Sequence, residues 1–401
     1  MKTETQQASI NQTSFRILIY LSISHCLNDL LQTTVSASYP IFKEDLSLTF
    51  AQIGMITLVY QMSASVFQPI MGLFFDKYPF AWSLPLGMTS TLTGILSLAF
   101  AQSLPWVLVS VALVGIGSSV LHPEASRLTS LASGGKRGLA QSLFQVGGNL
   151  GGALGPLLIA FLVAPYGRSN LAFFAIIALT AIIMMTPVCL WYKRILKRFK
   201  QENAPIVAKN KAPLPLQKTI IAISILLLLI FSKHAYVASL SSYYTFYLIE
   251  KFSVSVEDSI IYLCIFLAGT VAGTLLGGPI GDKIGRKSVI WVSILGVAPF
   301  ALLMPHVGLT ATIVLSFIIG VVISSAFPAI LLYAQELLPY RLGLVSGLFF
   351  GFAFGIAGIA SAVLGNMADV HGIETVYSVC AYMPLLGLIT WFLPELKKLN
   401  K

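Results

Sequence analysis

Six side chains in this sequence could hold or move charge among otherwise apolar neighbours: His25, Asp29, His122, Glu124, Arg127 and Lys233. An ionisable group at membrane depth is costly, so each is a functional candidate by default. His25 and Asp29 stand four apart and share one helical face. Asp29 can titrate, which suits a proton carrier, with His25 as a second carrier. An Asp bonded to a neighbouring helix to fix packing has the same pattern. Glu124 and Arg127 are three apart and can pair. Pro123 between His122 and Glu124 removes a backbone donor and opens polar backbone to a cavity. That run is either an intrahelical ion pair or a gate for proton or substrate, with Glu124 loading a proton and His122 and Arg127 touching substrate. Lys233 shares a face with Tyr236, Leu240, Tyr243 and Tyr247 by its 3-4-3-4 spacing. A Lys among tyrosines suits an anion such as a phosphonate or carboxylate. Two polar stripes, Gln141/Gln145/Asn149 and Gln61/Ser65/Gln68, either line a cavity or bond helix to helix; Gln61 and Gln145 are the substrate candidates among them.

The elements that carry these groups follow from composition. The chain has 401 residues, 56% hydrophobic and only 10% charged, with mean hydropathy +0.85. A soluble domain carries about 25% charged residues, so a soluble enzyme, a secreted disulfide scaffold and a disordered chain are excluded. Twelve apolar runs are long enough to span a bilayer, at roughly 16–39, 51–75, 81–101, 104–130, 137–164, 169–192, 219–248, 257–279, 287–306, 309–334, 341–367 and 373–394. An even count puts both termini on one side. Twenty-one of the 25 Lys and Arg fall on that side, and only Lys43, Arg168 and Lys251 on the other. The positive-inside rule then places both termini in the cytoplasm. The net charge of +10 is a topology signal and not a nucleic-acid surface. The four cysteines and five histidines show no metal spacing, so no metal is expected. No ATP-binding P-loop is present, so the expected energy source is a proton gradient, with no cofactor.

The basic, proline-containing segment 193–218 reads as a flexible cytoplasmic linker between a first half, 1–192, and a second, 219–401. Internal repetition supports the division. A shift of 205 residues brings Gly115, Ser119 and Pro123 onto Gly320, Ser324 and Pro328, and Gly138-Leu139 onto Gly343-Leu344. A shift of 206 brings Gly72 and Asp76 onto Gly278 and Asp282. Parallel six-helix halves suggest alternating access around a site near the midplane.

Those repeated turns carry a family resemblance. Gly278-Pro-Ile-Gly-Asp282-Lys-Ile-Gly285-Arg286-Lys287 resembles the loop signature of the major facilitator superfamily, and Gly72-Leu-Phe-Phe-Asp76-Lys-Tyr-Pro79 is a degenerate copy. Asp76 and Asp282 can each pair with a helix N-terminus or with an Arg, so Gly72, Asp76, Gly278, Asp282, Gly285 and Arg286 form a candidate conformational latch. Gly151-x-x-x-Gly155-Pro156 resembles the core of the superfamily's antiporter motif, without its following Gly-Gly; close packing explains the glycines equally well. The Arg that many drug–proton antiporters carry in span four is absent, Val111 standing there. Longer segments are similar to bacterial fosmidomycin-resistance exporters: Ser24-His25-Cys-Leu-Asn28-Asp29, Gly117-Ser-Ser-Val-Leu-His122-Pro123-Glu124, Gly138-Leu-Ala-Gln-Ser-Leu-Phe-Gln145 and Ser241-Ser-Tyr243-Tyr244.

The resemblance implies an all-α polytopic membrane protein of twelve transmembrane helices, the major facilitator fold with two pseudo-symmetric six-helix halves. It implies a monomeric, proton-coupled drug antiporter of the bacterial inner membrane, handling a small anionic compound such as a phosphonate. Spans one and seven face each other in that superfamily, so Lys233 could instead pair with Asp29. Proton-coupled uptake of an organic anion is the first alternative. A polytopic membrane enzyme or a sensor fits less well, because no clustered catalytic set and no soluble signalling domain are evident in the sequence.

Overall fold

Hydrocarbon offers no water to an unpaired backbone N–H or C=O, so a chain of this composition must satisfy its backbone within helices. The computed structural model describes residues 13–201 and 213–396, and regular structure among the described residues is helical throughout. The helices are α1 (Phe15–Ala37), α2 (Tyr39–Asp45), α3 (Phe50–Ser65), α4 (Phe67–Lys77), α5 (Ser83–Ala99), α6 (Leu104–Ala132), α7 (Arg137–Leu162), α8 (Phe174–Gln201), α9 (Leu216–Phe252), α10 (Val256–Ile284), α11 (Arg286–Leu295), α12 (Ala298–Leu303), α13 (Leu309–Ser324), α14 (Ala326–Leu337), α15 (Leu342–His371) and α16 (Ile373–Cys380). Short 3-10 turns cover Arg168–Phe173, Met304–His306 and Met383–Phe392. Ten helical stretches of the described residues are long and apolar enough to cross a membrane. The helices α1, with its polar Ser24, His25, Asn28, Asp29 and Gln32, and α5, only 17 residues long, stand outside those ten.

Four expected spans are each interrupted once, and proline explains all four breaks. Pro69, Pro299, Pro328 and Pro384 each follow by three residues a break at Val66, Gly296, Ser325 and Ala381. A proline ring clashes with the carbonyl four residues before it and supplies no N–H. Pro123, Pro156, Pro187 and Pro279, in contrast, lie inside unbroken helices.

The expected flexible linker requires correction. Residues 193–201 are the last turns of α8, and Leu216 to Lys218 already belong to α9. Nothing in Lys193–Gln201 breaks a helix, and the first proline comes at Pro205. Residues 202–212 lie outside the described residues. The chain divides into one unit of Met1–Asn210 with Leu338–Gly351 and a second of Lys211–Leu337 with Phe352–Lys401. The first turns of α15 therefore group with the first unit, where a division into 1–192 and 219–401 had them in the second half.

Within the first unit, α1 lies along α7 with almost no gap. A Cβ at Gly147 would collide with the carbonyl of Ser22, and one at Gly151 with that of Cys26. At Gly155 it would strike Thr33. The glycine run of α7 is thus a contact face that brings α1, with His25 and Asp29, against α7. In the second unit α10 approaches α13 in the same way, with Gly269 and Gly273 against the carbonyls of Phe317 and Val321. Gly151→Ala is expected to lower the thermal midpoint of the detergent-solubilised protein by a cost of about 1–3 kcal/mol. Gly152→Ala, whose Cβ would meet nothing within 4 Å, should leave it unchanged.

Candidate functional site

A buried cluster in the first unit joins α1 to α6. His25 Nε2 lies 3.2 Å from Asp29 Oδ2, and His122 Nε2 lies 3.1 Å from Asp29 Oδ1. The histidines are 2% and 1% exposed and Asp29 16%, so the cluster opens only at its carboxylate. Backbone carbonyls fix both rings. His25 Nδ1 is 2.8 Å from the carbonyl of Phe144, and His122 Nδ1 is 3.1 Å from that of Ser118. A carbonyl only accepts, so His25 Nδ1 carries the hydrogen and donates, whereas His122 Nδ1 also lies 3.1 Å from the Ser118 hydroxyl, which can donate to it. A neutral His25 then turns the lone pair of its Nε2 towards Asp29. Lone pair against carboxylate is repulsive, and the contact becomes attractive only when a proton lies between them. His25 Nε2 has no aligned hydrogen bond, whereas His122 Nε2 bonds Oδ1.

The surroundings hold this arrangement in place. The His25 ring stacks on Phe144 at 4.0 Å between centroids, and His122 packs on Phe350 at 5.3 Å. Asn28 Nδ2 donates to Asp29 Oδ1 at 3.0 Å. An added Cβ at Gly148 would sit 2.6 Å from His25 Nε2 and 2.8 Å from Asp29 Oδ2. The ligand atoms of His25, Asp29 and His122 all lie within 4.8 Å of one another, a grouping that could also accept a metal ion. The scattered histidine positions in the sequence gave no sign of it, and the expectation of no metal spacing is corrected to that extent.

Glu124 and Arg127 occupy a separate, sealed position. Arg127 donates through Nε and Nη2 to the two oxygens of Glu124 at 2.8 and 2.7 Å, and through Nη2 to the Tyr192 hydroxyl at 2.6 Å. Ser83 donates to Glu124 Oε1 at 3.2 Å. The side chains are 2% and 0% exposed, and the group ties α5, α6 and α8 together. In this arrangement Arg127 turns inward to protein partners, not to a substrate. Gln141 bonds α7 to α6 through Ser126 and Ser130. Gln61 and Gln145 are half-buried, and the buried Gln145 Oε1 has no hydrogen-bond partner. Gln68 is fully buried, and neither end of its amide has a partner among the described residues.

Lys233 lies in the second unit, 9% exposed, with its ammonium 5.3 Å from the centre of the Phe327 ring. Among the described residues of that unit no carboxylate lies within 4.0 Å of it. The tyrosines expected on its face serve packing instead. Tyr236 belongs to the apolar core, and Tyr247 stacks on Tyr377 at 4.0 Å. Tyr243 donates its hydroxyl to the carbonyl of Ser361 at 2.6 Å. A face of five residues on one helix is buried by its neighbours when that helix is central, which the spacing alone does not disclose.

The two related loops use the two partners open to a carboxylate. Asp76 accepts from the N–H groups of Gly343 and Leu344 at 2.9 Å each, capping the start of α15. Gly72 lies so close to Gly343 that a Cβ at either position would meet the other's backbone. Asp282 pairs with Arg286 at 2.5 Å, and Arg286 also reaches Glu336 at 3.4 Å. Gly285, at φ +96°, makes the turn from α10 to α11, a conformation few other residues adopt. Gly278 is buried near the end of α10. Sequence reasoning had named His122 but not its meeting with Asp29, and it missed the Phe144 carbonyl, Tyr192 and Glu336. Only the helix packing brings these together.

Comparison with known proteins adds the family. A profile described as the Major Facilitator Superfamily matches residues 21–362 and 263–401. The chain is 55% identical over 384 residues to the fosmidomycin resistance protein of Escherichia coli (strain K12), covering 96% of this chain and 94% of that one. It is 37% identical over 392 residues to the uncharacterized MFS-type transporter YfnC of Bacillus subtilis (strain 168), covering 97% and 95%. Among solved structures, the MFS transporter FucP in its outward conformation superposes with a TM-score of 0.73 at 15% identity, over 96% of this chain and all of that one. The human organic anion transporter MFSD10 gives 0.68 at 15% identity, over 96% and 100%. At that identity the structural likeness speaks to fold.

The sealed ion pair makes a stability prediction. Glu124→Gln leaves Arg127 charged and buried without its counter-charge, a loss of about 3–5 kcal/mol. Tyr192→Phe removes one charged hydrogen bond, about 1–3 kcal/mol. Thermal unfolding in detergent should rank wild type above Tyr192→Phe and that above Glu124→Gln.

Proposed function

We propose that this chain, which belongs to the Major Facilitator Superfamily and is a secondary transporter and not an enzyme, exports small anionic compounds in exchange for protons. Fosmidomycin-like phosphonates are the first candidates, because the relative named for fosmidomycin resistance is 55% identical over nearly the whole chain. The fold reading is twelve transmembrane helices in two six-helix halves, the ten apolar stretches plus α1 and α5. The protein is read as a monomer of the bacterial inner membrane, with both termini cytoplasmic by its basic asymmetry.

The observation that carries the proposal is the carboxylate held between two histidines. Asp29 would load the incoming proton, because the cluster is exposed only at that carboxylate. His25, pinned through Nδ1, and His122 would share that proton through Nε2. Lys233 would hold the anion: it is a buried cation whose closest described charge partner is a ring face and not a carboxylate. Desolvated cations of this kind gain most from a charged ligand. Glu124, locked on Arg127, would fix the helix ends and not carry the proton. Asp76 on the α15 N-terminus would act as a latch, since moving α15 away from α4 breaks both hydrogen bonds. The Asp282–Arg286–Glu336 group would do the same for α10, α11 and α14.

Proteoliposomes with an imposed pH gradient and labelled fosmidomycin give the test. Asp29→Asn should abolish proton-driven movement, at least about tenfold, and His122→Gln should reduce it. Full proton-driven transport by Asp29→Asn would overturn the coupling assignment. On this reading the cluster takes protons and not a metal, so a chelator should change nothing. Lys233→Ala should raise the KM for fosmidomycin about tenfold, the worth of one charged hydrogen bond, and spare neutral compounds. Substrate movement in the same direction as the protons would instead favour uptake.

A further inference from the structure

The span that begins at Arg168 and ends at Gln201 has 34 residues. At 1.5 Å per residue that is about 50 Å, well beyond a hydrocarbon core of about 30 Å. Its last turns must project past the apolar layer. They read Lys193-Arg-Ile-Leu-Lys197-Arg-Phe-Lys200-Gln201, with no acidic residue. At about 100° per residue, Lys193, Lys197 and Lys200 fall within about 60° of one another, with Arg194 at the edge. All four are exposed. The apolar Ile195 and Phe199 are half-buried on the opposite side, with Leu196, also half-buried, beside Lys200. Among the described residues no carboxylate lies within 4.0 Å of Lys193, Lys197 or Lys200.

A second observation fixes where this stripe points. Tyr192, immediately before it, is fully buried, and its hydroxyl accepts from Arg127 at 2.6 Å. The helix cannot rotate about its axis without breaking that bond. The stripe is therefore a rigid projection at head-group depth and not a mobile basic tail.

We infer that the Lys193/Lys197/Lys200 stripe is a docking site for acidic phospholipid head groups, phosphatidylglycerol being the simplest case. Basic residues just outside a span attract an anionic leaflet by about 1 kcal/mol each, and the attraction fades with salt. Here three ammonium groups on one face match a row of phosphodiesters, while the apolar side stays with the protein and the acyl boundary. The site uses none of the groups proposed for transport, so it stands or falls separately.

The test uses the full chain in vesicles of phosphatidylcholine containing three parts in ten phosphatidylglycerol, identical in both leaflets so that orientation is immaterial. Spin-labelled phosphatidylglycerol reports its enrichment at the protein relative to labelled phosphatidylcholine. The wild type should enrich it, and Lys193→Gln/Lys197→Gln/Lys200→Gln should lose that enrichment. The corresponding triple Arg variant should keep it, and high salt should weaken it in the wild type. Equal enrichment in wild type and the Gln variant would overturn the site. Displacement of the labelled lipid by inorganic phosphate at millimolar concentration would also overturn it, by assigning the stripe to a free phosphoryl anion.

Discussion

A carboxylate removed from water must be compensated, and in this protein the compensation comes from two imidazoles whose own orientation is set by backbone carbonyls. Asp29 supplies one oxygen to each ring. The Phe144 carbonyl decides which nitrogen His25 presents, and the carbonyl and hydroxyl of Ser118 hold Nδ1 of His122. Everything nearby serves that geometry. The glycine face of α7 lets α1 approach closely enough for His25 to reach the Phe144 carbonyl. Gly148 leaves room for the His25–Asp29 pair where any Cβ would intrude. Polar groups at this depth are unstable as lone charges but can exchange a proton among themselves at little cost, which is why the proposed coupling rests on the cluster and not on Asp29 alone.

Much of the fold was legible. Apolar run lengths located the helices, and the polar residues of α1 were visible as a set because a four-residue spacing is local. The proline breaks at Val66, Gly296, Ser325 and Ala381 were not drawn from the sequence, although the signal was present in Pro69, Pro299, Pro328 and Pro384. The continuation of α8 through Gln201 was also missed, because basic composition was read as a linker where nothing breaks a helix. The site was half legible. His25 with Asp29 followed from spacing, but His122 stands 93 positions beyond Asp29, and its approach to Asp29 exists only through packing of α1 on α6. Tyr236 and Tyr243 erred the other way: shared helical spacing located them correctly, while their burial and the Ser361 contact belong to neighbouring elements.

The related loops show how one signature can be used differently in two places. The degenerate copy, with Pro79 in place of glycine, spends its Asp76 on the first N–H groups of α15, where the helix dipole adds to the hydrogen bonds. The full copy keeps Arg286 as a partner for Asp282 and links it to Glu336. Elsewhere in the first unit, Glu124, Arg127 and Tyr192 tie helices together without any loop motif. Charge in this chain is scarce, and the fully buried Glu124 and Arg127 are committed to such a pair.

The proposed exchange of anion for proton requires that substrate binding drive the proton off the Asp29 cluster. Proton release on substrate addition tests it most directly, in weakly buffered detergent solution of the purified protein with a pH-sensitive dye. The account predicts that fosmidomycin releases protons from the wild type and none from Asp29→Asn, whose fold is verified by an unchanged thermal midpoint. Equal release from both, or substrate binding to the wild type with no release at all, would contradict it.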